Sequence, residues 1–201
     1  TGFRSVRTVG AVKAIVFADV TDAWSYVGSV RFERAAALYS IVTGQAIDIS
    51  YRAATFTPDI GAVDVVSAAR ISGIDLNLED VVAADSADAW RVLTWARSVS
   101  PEIQRDLLFE LWRAHFLEGA DIADDFVLAT RAALAGLELE TAEALLASSE
   151  FEAEVRDQRE TAAAIGAEHA PFVVVEATHT IAGVHSQDDY LRALQEISAQ
   201  H

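Results

Sequence analysis

The stretch of sequence that decides the fold is Asp19-Val20-Thr21-Asp22-Ala23-Trp24-Ser25-Tyr26. It joins a short apolar run, Lys13–Ala18, to a longer segment with helical periodicity, Asp22–Val42. Threonine and aspartate are both favoured at a helix N-cap, so Thr21 or Asp22 supplies the cap. Gly44 stands just beyond the other end of the segment, where glycine is favoured. The pattern therefore predicts a strand that ends at Asp19 and a helix that begins in the turn after it.

A second strand follows this predicted helix. Ile47–Ala53 alternates apolar and polar side chains, as a half-buried strand does. A strand, a helix and a second strand in this order normally form a parallel pair with a right-handed crossover.

The middle of the chain has a different character. From Pro58 to about Glu154 no segment is a convincing strand, and the interval 58–85 carries mixed signals. Apolar spacing, caps and the position of Pro101 predict helices in the rest of this region, at Ser86–Arg97, Pro101–Gly119, Asp124–Leu134, Thr141–Ala147 and Ser149–Ile165.

The carboxyl-terminal region returns to strands. Pro171–Glu176 is a β-branched run, Thr178–Ala182 is a second short strand, and Gln187–Ser198 has one apolar face and closes the chain as a helix. The whole order predicts an α/β fold that is interrupted by a block of helices.

The composition narrows the possible functions. The chain has 201 residues and a formal net charge of −16, which opposes binding to nucleic acid or to an anionic membrane. It contains no cysteine, so it has no disulfides, thiolate metal ligands or thiol nucleophiles. No apolar run has the length of a membrane span, and residues 1–13 lack the pattern of a signal peptide, so we expect a cytoplasmic protein.

The turn resembles the active-site turn of the DsbA family of thioredoxin-fold oxidoreductases, most closely its FrnE-like branch. In that family a strand ends in Asp-Val, and after one residue Cys-Pro-Trp-Cys-Tyr opens a helix. The matching residues here are Asp19, Val20, Trp24 and Tyr26. Asp22 and Ser25 stand at the two cysteine positions, and Ala23 stands at the proline position.

The resemblance continues along the chain. Tyr51–Asp59 keeps the family's Arg, Pro and Asp as Arg52, Pro58 and Asp59. Leu108–Ile122 resembles the helix and turn of the family's insertion, Ala170–Val174 its Val-Pro-x-Phe segment, and Ile181–Gly183 its Ile-Ser-Gly.

This resemblance implies a thioredoxin-like fold interrupted by an all-helical insertion domain. The thioredoxin-like domain would comprise residues 11–57 and 155–201, and the helical insertion domain residues 58–154.

The family exchanges thiols with disulfides, which requires a thiolate as the attacking group. Neither Asp22 nor Ser25 supplies one, so the redox activity is not carried over and a remaining enzymatic activity is left open. Asp22 is interpreted first as an N-cap whose pKa is held low by the helix end. Ser25 is interpreted first as a polar residue that lines the cleft, and second as a hydroxyl that orients a thiol ligand. These two residues are the candidates for any catalytic role.

The resemblance also implies a ligand-binding cleft. In the family the proline of the Val-Pro-x-Phe segment is cis and faces the active site, so Pro171 would present the backbone of Ala170 to a ligand. The predicted binding residues are Asp22, Ala23, Trp24, Ser25, Tyr26, Ala170 and Pro171. For Trp24, stacking on a ligand and packing against the helical insertion are equally compatible with the sequence.

No metal site is predicted. The histidines His115, His169, His179 and His185 are scattered, and none forms a pair with metal-ligand spacing. The acidic residues around Gly119 lack the pattern of a calcium loop.

Three hypotheses for function remain. The first is a redox-inactive protein that binds a small molecule or an extended peptide in the cleft and needs no cofactor. The second is a non-redox enzyme of the kappa glutathione transferase or hydroxychromene-carboxylate isomerase type, with glutathione as its thiol cofactor. The third is a structural partner in a homodimer, with the helical block as its interface.

Overall fold

A computed structural model describes residues 11–56 and 64–199 of the chain. Four strands and eight helices follow one another in the described part: β1 (Val12–Ala18), α1 (Ala23–Thr43), β2 (Ile47–Ala53), α2 (Val65–Ile71), α3 (Ala87–Val99), α4 (Pro101–Phe116), α5 (Asp125–Leu134), α6 (Leu139–Leu146), α7 (Glu152–Ala164), β3 (Phe172–Val175), β4 (His179–Ala182) and α8 (Gln187–Ser198).

The strands form one mixed sheet in the order β2-β1-β3-β4. β1 pairs in parallel with β2, from Val12 opposite Ile47 to Ala18 opposite Ala53. It pairs in the antiparallel direction with β3, which in turn forms a hairpin with β4. β1 is therefore an inner strand with both edges paired, and most of its apolar side chains are buried. The turn of residues 19–22 leaves the carboxyl end of this strand.

The insertion is helical throughout its described part. Between β2 and β3 the described residues contain α2 to α7 and no strand. This arrangement confirms the predicted thioredoxin-like fold with an all-helical insertion. The predicted boundary at residues 57 and 58, and Pro58 and Asp59 of the family resemblance, lie outside the described residues. The predicted boundary between residues 154 and 155 falls within α7.

Several element bounds differ from the sequence prediction for local reasons. The helix predicted from Ser149 begins at Glu152, because Phe151 precedes it in a left-handed conformation with φ 64°. The strand predicted over Pro171–Glu176 is shorter, because Glu176 (φ 50°) and Ala177 (φ 59°) form the tight hairpin turn. The interval 58–85, whose signals are mixed, contains the short helix α2.

Among the helices of the described residues, none combines the length and the apolar character needed to cross a bilayer.

Candidate functional site

The turn between β1 and α1 is organised by Asp22. Its backbone is extended (φ −104°, ψ 116°), and its carboxylate accepts a hydrogen bond from the Ser25 N–H at 2.6 Å. This is the geometry of an N-cap, in which a side-chain oxygen satisfies an N–H group that has no partner within the helix. The structure therefore confirms Asp22 as the cap of α1.

The prediction of a low pKa for Asp22 is wrong. Burial raises the pKa of this carboxyl above its ordinary value, because a buried carboxylate loses its hydration, and the negative charge of Asp19 acts in the same direction. Hydrogen bonds from Ser25 and from the Trp24 N–H favour the ionised form, but they do not outweigh burial. Asp22 therefore caps the helix, but burial of its negative charge is energetically unfavourable.

Ser25 is fully buried and is tied to the strand that precedes the turn. Its Oγ accepts a hydrogen bond from the Asp19 N–H at 3.0 Å, while its own N–H is bound by Asp22. The hydroxyl therefore closes the turn onto the end of β1. In this geometry Ser25 is a positioning residue, whereas the sequence favours a residue that lines the cleft.

An aromatic cluster attaches α4 of the insertion to the turn. Tyr26 is buried and stacks on Trp112, with ring centroids 5.3 Å apart and an interplanar angle of 20°. The Trp112 Nε1–H donates to the backbone oxygen of Asp19 at 3.2 Å. Tyr26 is therefore part of the packing between α1 and α4. Trp24 is half-buried and packs against the core, and its stacking on a ligand stays a prediction.

The Ala170–Pro171 peptide bond is cis, and α1 lies directly against the proline ring. A Cβ atom at Gly28 would be 2.2 Å from Pro171 Cδ and 2.6 Å from Cγ, so only glycine permits this approach. The Pro171 oxygen accepts a hydrogen bond from the Gly183 N–H at 2.9 Å, which fixes the loop to the start of the segment after β4. Ala170 is half-buried, and the described residues offer its backbone no hydrogen bond. The predicted binding residues Ala170 and Pro171 therefore lie beside α1, the helix that carries the turn.

His115 is a residue near the site that sequence reasoning does not single out. Its ring is buried, its Nδ1 has no hydrogen-bond partner among the described residues, and burial lowers its pKa. The charges of Asp121 and Asp19 act on the pKa in the opposite direction. Its position on the apolar face of α4, after Leu108 and Leu111, is the signal that could have identified it as buried.

Arg31 is a second residue that the sequence does not mark. Its guanidinium donates to Ser72 Oγ at 2.8 Å and to the backbone oxygens of Ala68 (2.9 Å) and His185 (3.3 Å). These contacts join α1 to α2 and to the loop before α8. Arg31 lies one helical turn beyond Gly28, so it stabilises the side of α1 on which Pro171 packs.

His185 is held by a backbone contact and an aromatic contact. His185 Nε2 bonds the backbone oxygen of Ala182 at 3.0 Å, and its ring packs on Tyr190 with centroids 5.4 Å apart. Within the described ranges, no group of three or more His, Asp or Glu side chains is arranged to hold a metal ion.

Comparison with known proteins places this geometry in context. A family model for the DSBA-like thioredoxin domain matches residues 14–195 of the chain. No curated protein sequence matches it.

Solved structures with the same fold include three of different activities. A probable DsbA oxidoreductase from Streptomyces coelicolor is 22% identical with a TM-score of 0.83, over 94% of this chain and 91% of that one. The cytosolic disulfide reductase DsbM from Pseudomonas aeruginosa, solved with GSH, is 20% identical with a TM-score of 0.66, over 94% of this chain and all (100%) of that one. A 2-hydroxychromene-2-carboxylate isomerase is 15% identical with a TM-score of 0.68, over 94% of this chain and 95% of that one. At these identities the similarity establishes the shared fold.

Proposed function

Because this chain belongs to the family of DSBA-like thioredoxin domains, we propose that it is a redox-inactive member that uses the cleft as a binding site. The ligand, a small molecule or an extended peptide, lies between the first turn of α1 and the Ala170–Pro171 bond. Within the family we assign the chain to the FrnE-like branch, on the residues that flank the two lost cysteines.

The observation that carries this proposal is that the turn has no cysteine but is still held by specific hydrogen bonds. The chain has no cysteine at any position, so it cannot form the mixed disulfide on which thiol–disulfide exchange depends. The turn is nevertheless held by three specific contacts, which are the Asp22 cap, the Ser25–Asp19 bond and the Trp112–Asp19 bond. A framework that keeps its shape without its nucleophile can still present a surface to a ligand.

Two groups supply the binding surface. Trp24 is half-buried, so one part of its ring is held by the core and the rest can stack on a ligand. The backbone of Ala170 is half-buried and makes no hydrogen bond within the described residues, so it can bond the main chain of a peptide or an amide group of a small molecule. Asp22 and Ala23 complete the rim of the binding surface. Ser25 and Tyr26 are buried beneath this rim and support it.

A thermal-shift screen of the purified protein tests the proposal. The panel contains glutathione, other thiols, aromatic metabolites and short peptides. A ligand at a hundred times its dissociation constant stabilises the fold by about 2.7 kcal/mol, which such a screen detects. We expect a ligand from outside the thiol class, and we expect Trp24→Ala to abolish its effect.

Trp95→Ala is the matched control, because Trp95 is also half-buried but lies on α3. If Trp95→Ala weakens binding as much as Trp24→Ala does, the ligand is not in the proposed cleft. Reduction of a disulfide substrate by the pure protein would contradict redox inactivity. Association that depends on concentration, with no ligand effect, would favour a structural dimer instead.

A thiol-cofactor-dependent enzyme is the second candidate. It is favoured by the placement of a carboxyl with a raised pKa next to a serine hydroxyl, since such a carboxyl is a better proton acceptor than an ordinary one. The similar structures include one solved with GSH and one isomerase, which makes glutathione the appropriate probe. Stabilisation by glutathione that is lost in Ser25→Ala, but kept in Trp24→Ala, would support this candidate over the first.

A further inference from the structure

Among the four described strands, β2 lies at an edge of the sheet, so one side of its backbone has no neighbour among them. The even-numbered positions face β1, since the Val12 N–H donates to the Ala46 oxygen (2.9 Å) and the Ala54 N–H donates to the Ala18 oxygen (3.0 Å). Backbone groups alternate in direction along a strand. The odd-numbered positions from 47 to 53 therefore direct their N–H and C=O groups away from the sheet.

The carboxyl-terminal half of this outer edge is closed by two glutamine side chains. The Tyr51 N–H donates to Gln104 Oε1 at 3.1 Å, and Gln104 Nε2 donates back to the Tyr51 oxygen at 3.1 Å. The Ala53 N–H donates to Gln158 Oε1 at 2.8 Å. These amides, from α4 and α7, supply the bonds that another strand would make.

The amino-terminal half of the edge is open. The outward backbone groups of Ile47 and Ile49 have no hydrogen-bond partner among the residues that the structure describes. A groove of about 400 Å³ runs along them, with Pro101, Glu102 and Arg105 of α4 on its far side. An open edge beside a groove is a template for pairing with another extended chain.

The charges along the groove indicate which kind of extended chain can bind there. Asp48 and Glu102 line it and are exposed. Among the described residues of the lining, the basic side chain is that of Arg105, which is already paired with Glu33 at 2.9 Å and with Asp106 at 3.1 Å. The chain as a whole carries a net charge of −16. Pairing of two copies of this chain at the same edge would bring like charges together, which is destabilising.

We infer that residues 46–49 form a docking site for an extended, positively charged segment of a partner protein, which pairs with the open edge of β2. The outward N–H and C=O groups of Ile47 and Ile49 bond the main chain of that segment. Asp48 and Glu102 contact its lysine or arginine side chains. The glutamine caps at residues 51 and 53 limit the paired length to a few residues.

Fluorescence anisotropy with a labelled Lys-Val-Lys-Val-Lys-Val-Lys peptide tests this site on the full chain. Ile49→Pro removes one outward N–H, and proline is tolerated on an edge strand. We expect it to weaken binding by about tenfold or more, whereas Ile49→Ala, which keeps the N–H, stays much closer to the wild type. The same peptide with N-methylated valine amides should not bind.

A second pair of variants guards against misfolding of the proline variant. Asp48→Asn should weaken binding and reduce its salt dependence, while Asp75→Asn, an exposed aspartate after α2, should leave both unchanged. Equal binding by Ile49→Pro and Ile49→Ala, or an equal effect of the two aspartate variants, would overturn the proposal. Dimerisation that Ile49→Pro abolishes, with no peptide binding, would assign the edge to a second copy and would overturn it as well.

Discussion

At the scale of single residues, the site depends on a few positions where the neighbouring atoms allow one kind of side chain. Gly28 has no space for a methyl group because of the Pro171 ring, and Ser25 supplies the one buried acceptor for the Asp19 N–H. Asp22 accepts from the Ser25 N–H and is partly buried. The roles of Gly28 and Asp22 can each be tested by a single substitution.

For Gly28→Ala, helix propensity and the contact with Pro171 predict changes in stability of opposite sign. Within a helix, alanine is favoured over glycine by about 1 kcal/mol, so helix propensity alone predicts a more stable protein. The contact with Pro171 predicts the opposite, because overpacking typically costs about 1–3 kcal/mol. We expect thermal unfolding to show a lower midpoint for Gly28→Ala. A higher midpoint would mean that α1 does not pack against the Pro171 ring as described.

Asp22→Asn tests the cost of the buried charge. A carboxyl whose pKa is raised by folding binds its proton more tightly in the folded state, so it contributes stability at low pH that is lost as the pH rises through the raised pKa. Asparagine keeps an oxygen for the Ser25 N–H and carries no charge. We expect Asp22→Asn to be more stable than the wild type at pH 7, by a margin that shrinks towards the ordinary pKa of aspartate, about 3.9.

The control for this prediction is Asp22→Ala, which removes the cap together with the charge and should be less stable than Asp22→Asn by about 1 kcal/mol at any pH. Thermal unfolding of the three proteins between pH 4 and pH 8 provides the measurement. A wild type that gains stability relative to Asp22→Asn as the pH rises would show that hydrogen bonding, and not burial, dominates at Asp22.

At the scale of elements, local signals predict most of the fold. The bounds of β2 and α8 agree with the sequence prediction, because alternation in one and an apolar face in the other are complete within the element. Phe151 breaks the prediction for α7, since a left-handed phenylalanine has no sequence signature. In the candidate site, too, local features are predicted from the sequence and long-range contacts are not. The cap at Asp22 is a local feature and is predicted, whereas its burial and the Gly28–Pro171 contact arise from segments that are distant in sequence.

The hairpin between β3 and β4 supplies a prediction at this scale. Its turn places Ala177 at φ 59°, a conformation that is costly for any residue with a Cβ atom. Glycine avoids that cost but loses more entropy on folding. We expect Ala177→Gly to stabilise the fold by about 0.5–1 kcal/mol in chemical denaturation.

Ala182→Gly is the matched control for the turn. Ala182 is also exposed but lies in β4, where glycine should destabilise by about 0.5–1 kcal/mol. A loss of stability in both variants would indicate that the turn does not require the left-handed conformation.

At the scale of the whole molecule, charge is the dominant feature. A net charge of −16 on 201 residues repels itself in the folded state, and this repulsion is screened by salt. One surface network acts in the opposite direction, because Arg113 and Arg131 are held between Glu110 and Glu118. Exposed ion pairs of this kind contribute little each, so we expect the overall repulsion to prevail.

The expected result is a higher unfolding temperature at higher ionic strength. Raising the salt from about 0.01 M to 0.15 M shortens the screening length from about 30 Å to 8 Å, which removes most of the long-range repulsion. The measurement is differential scanning calorimetry at fixed pH. An unfolding temperature that falls with salt would show that the network of Arg113 and Arg131 outweighs the net charge.

The place of β1 in the sheet has a consequence for synthesis on the ribosome. β1 ends at Ala18, but the strand that covers its second edge begins at Phe172. At about 5–20 residues per second, the ribosome needs roughly 8 to 30 s to make the chain between them. During that time the nascent chain can pair β1 with β2 and assemble the helices, but the second edge of β1 stays uncovered. Completion of the sheet therefore follows the emergence of the last few dozen residues, and a nascent-chain chaperone that shields β1 until then would raise the yield of folded protein.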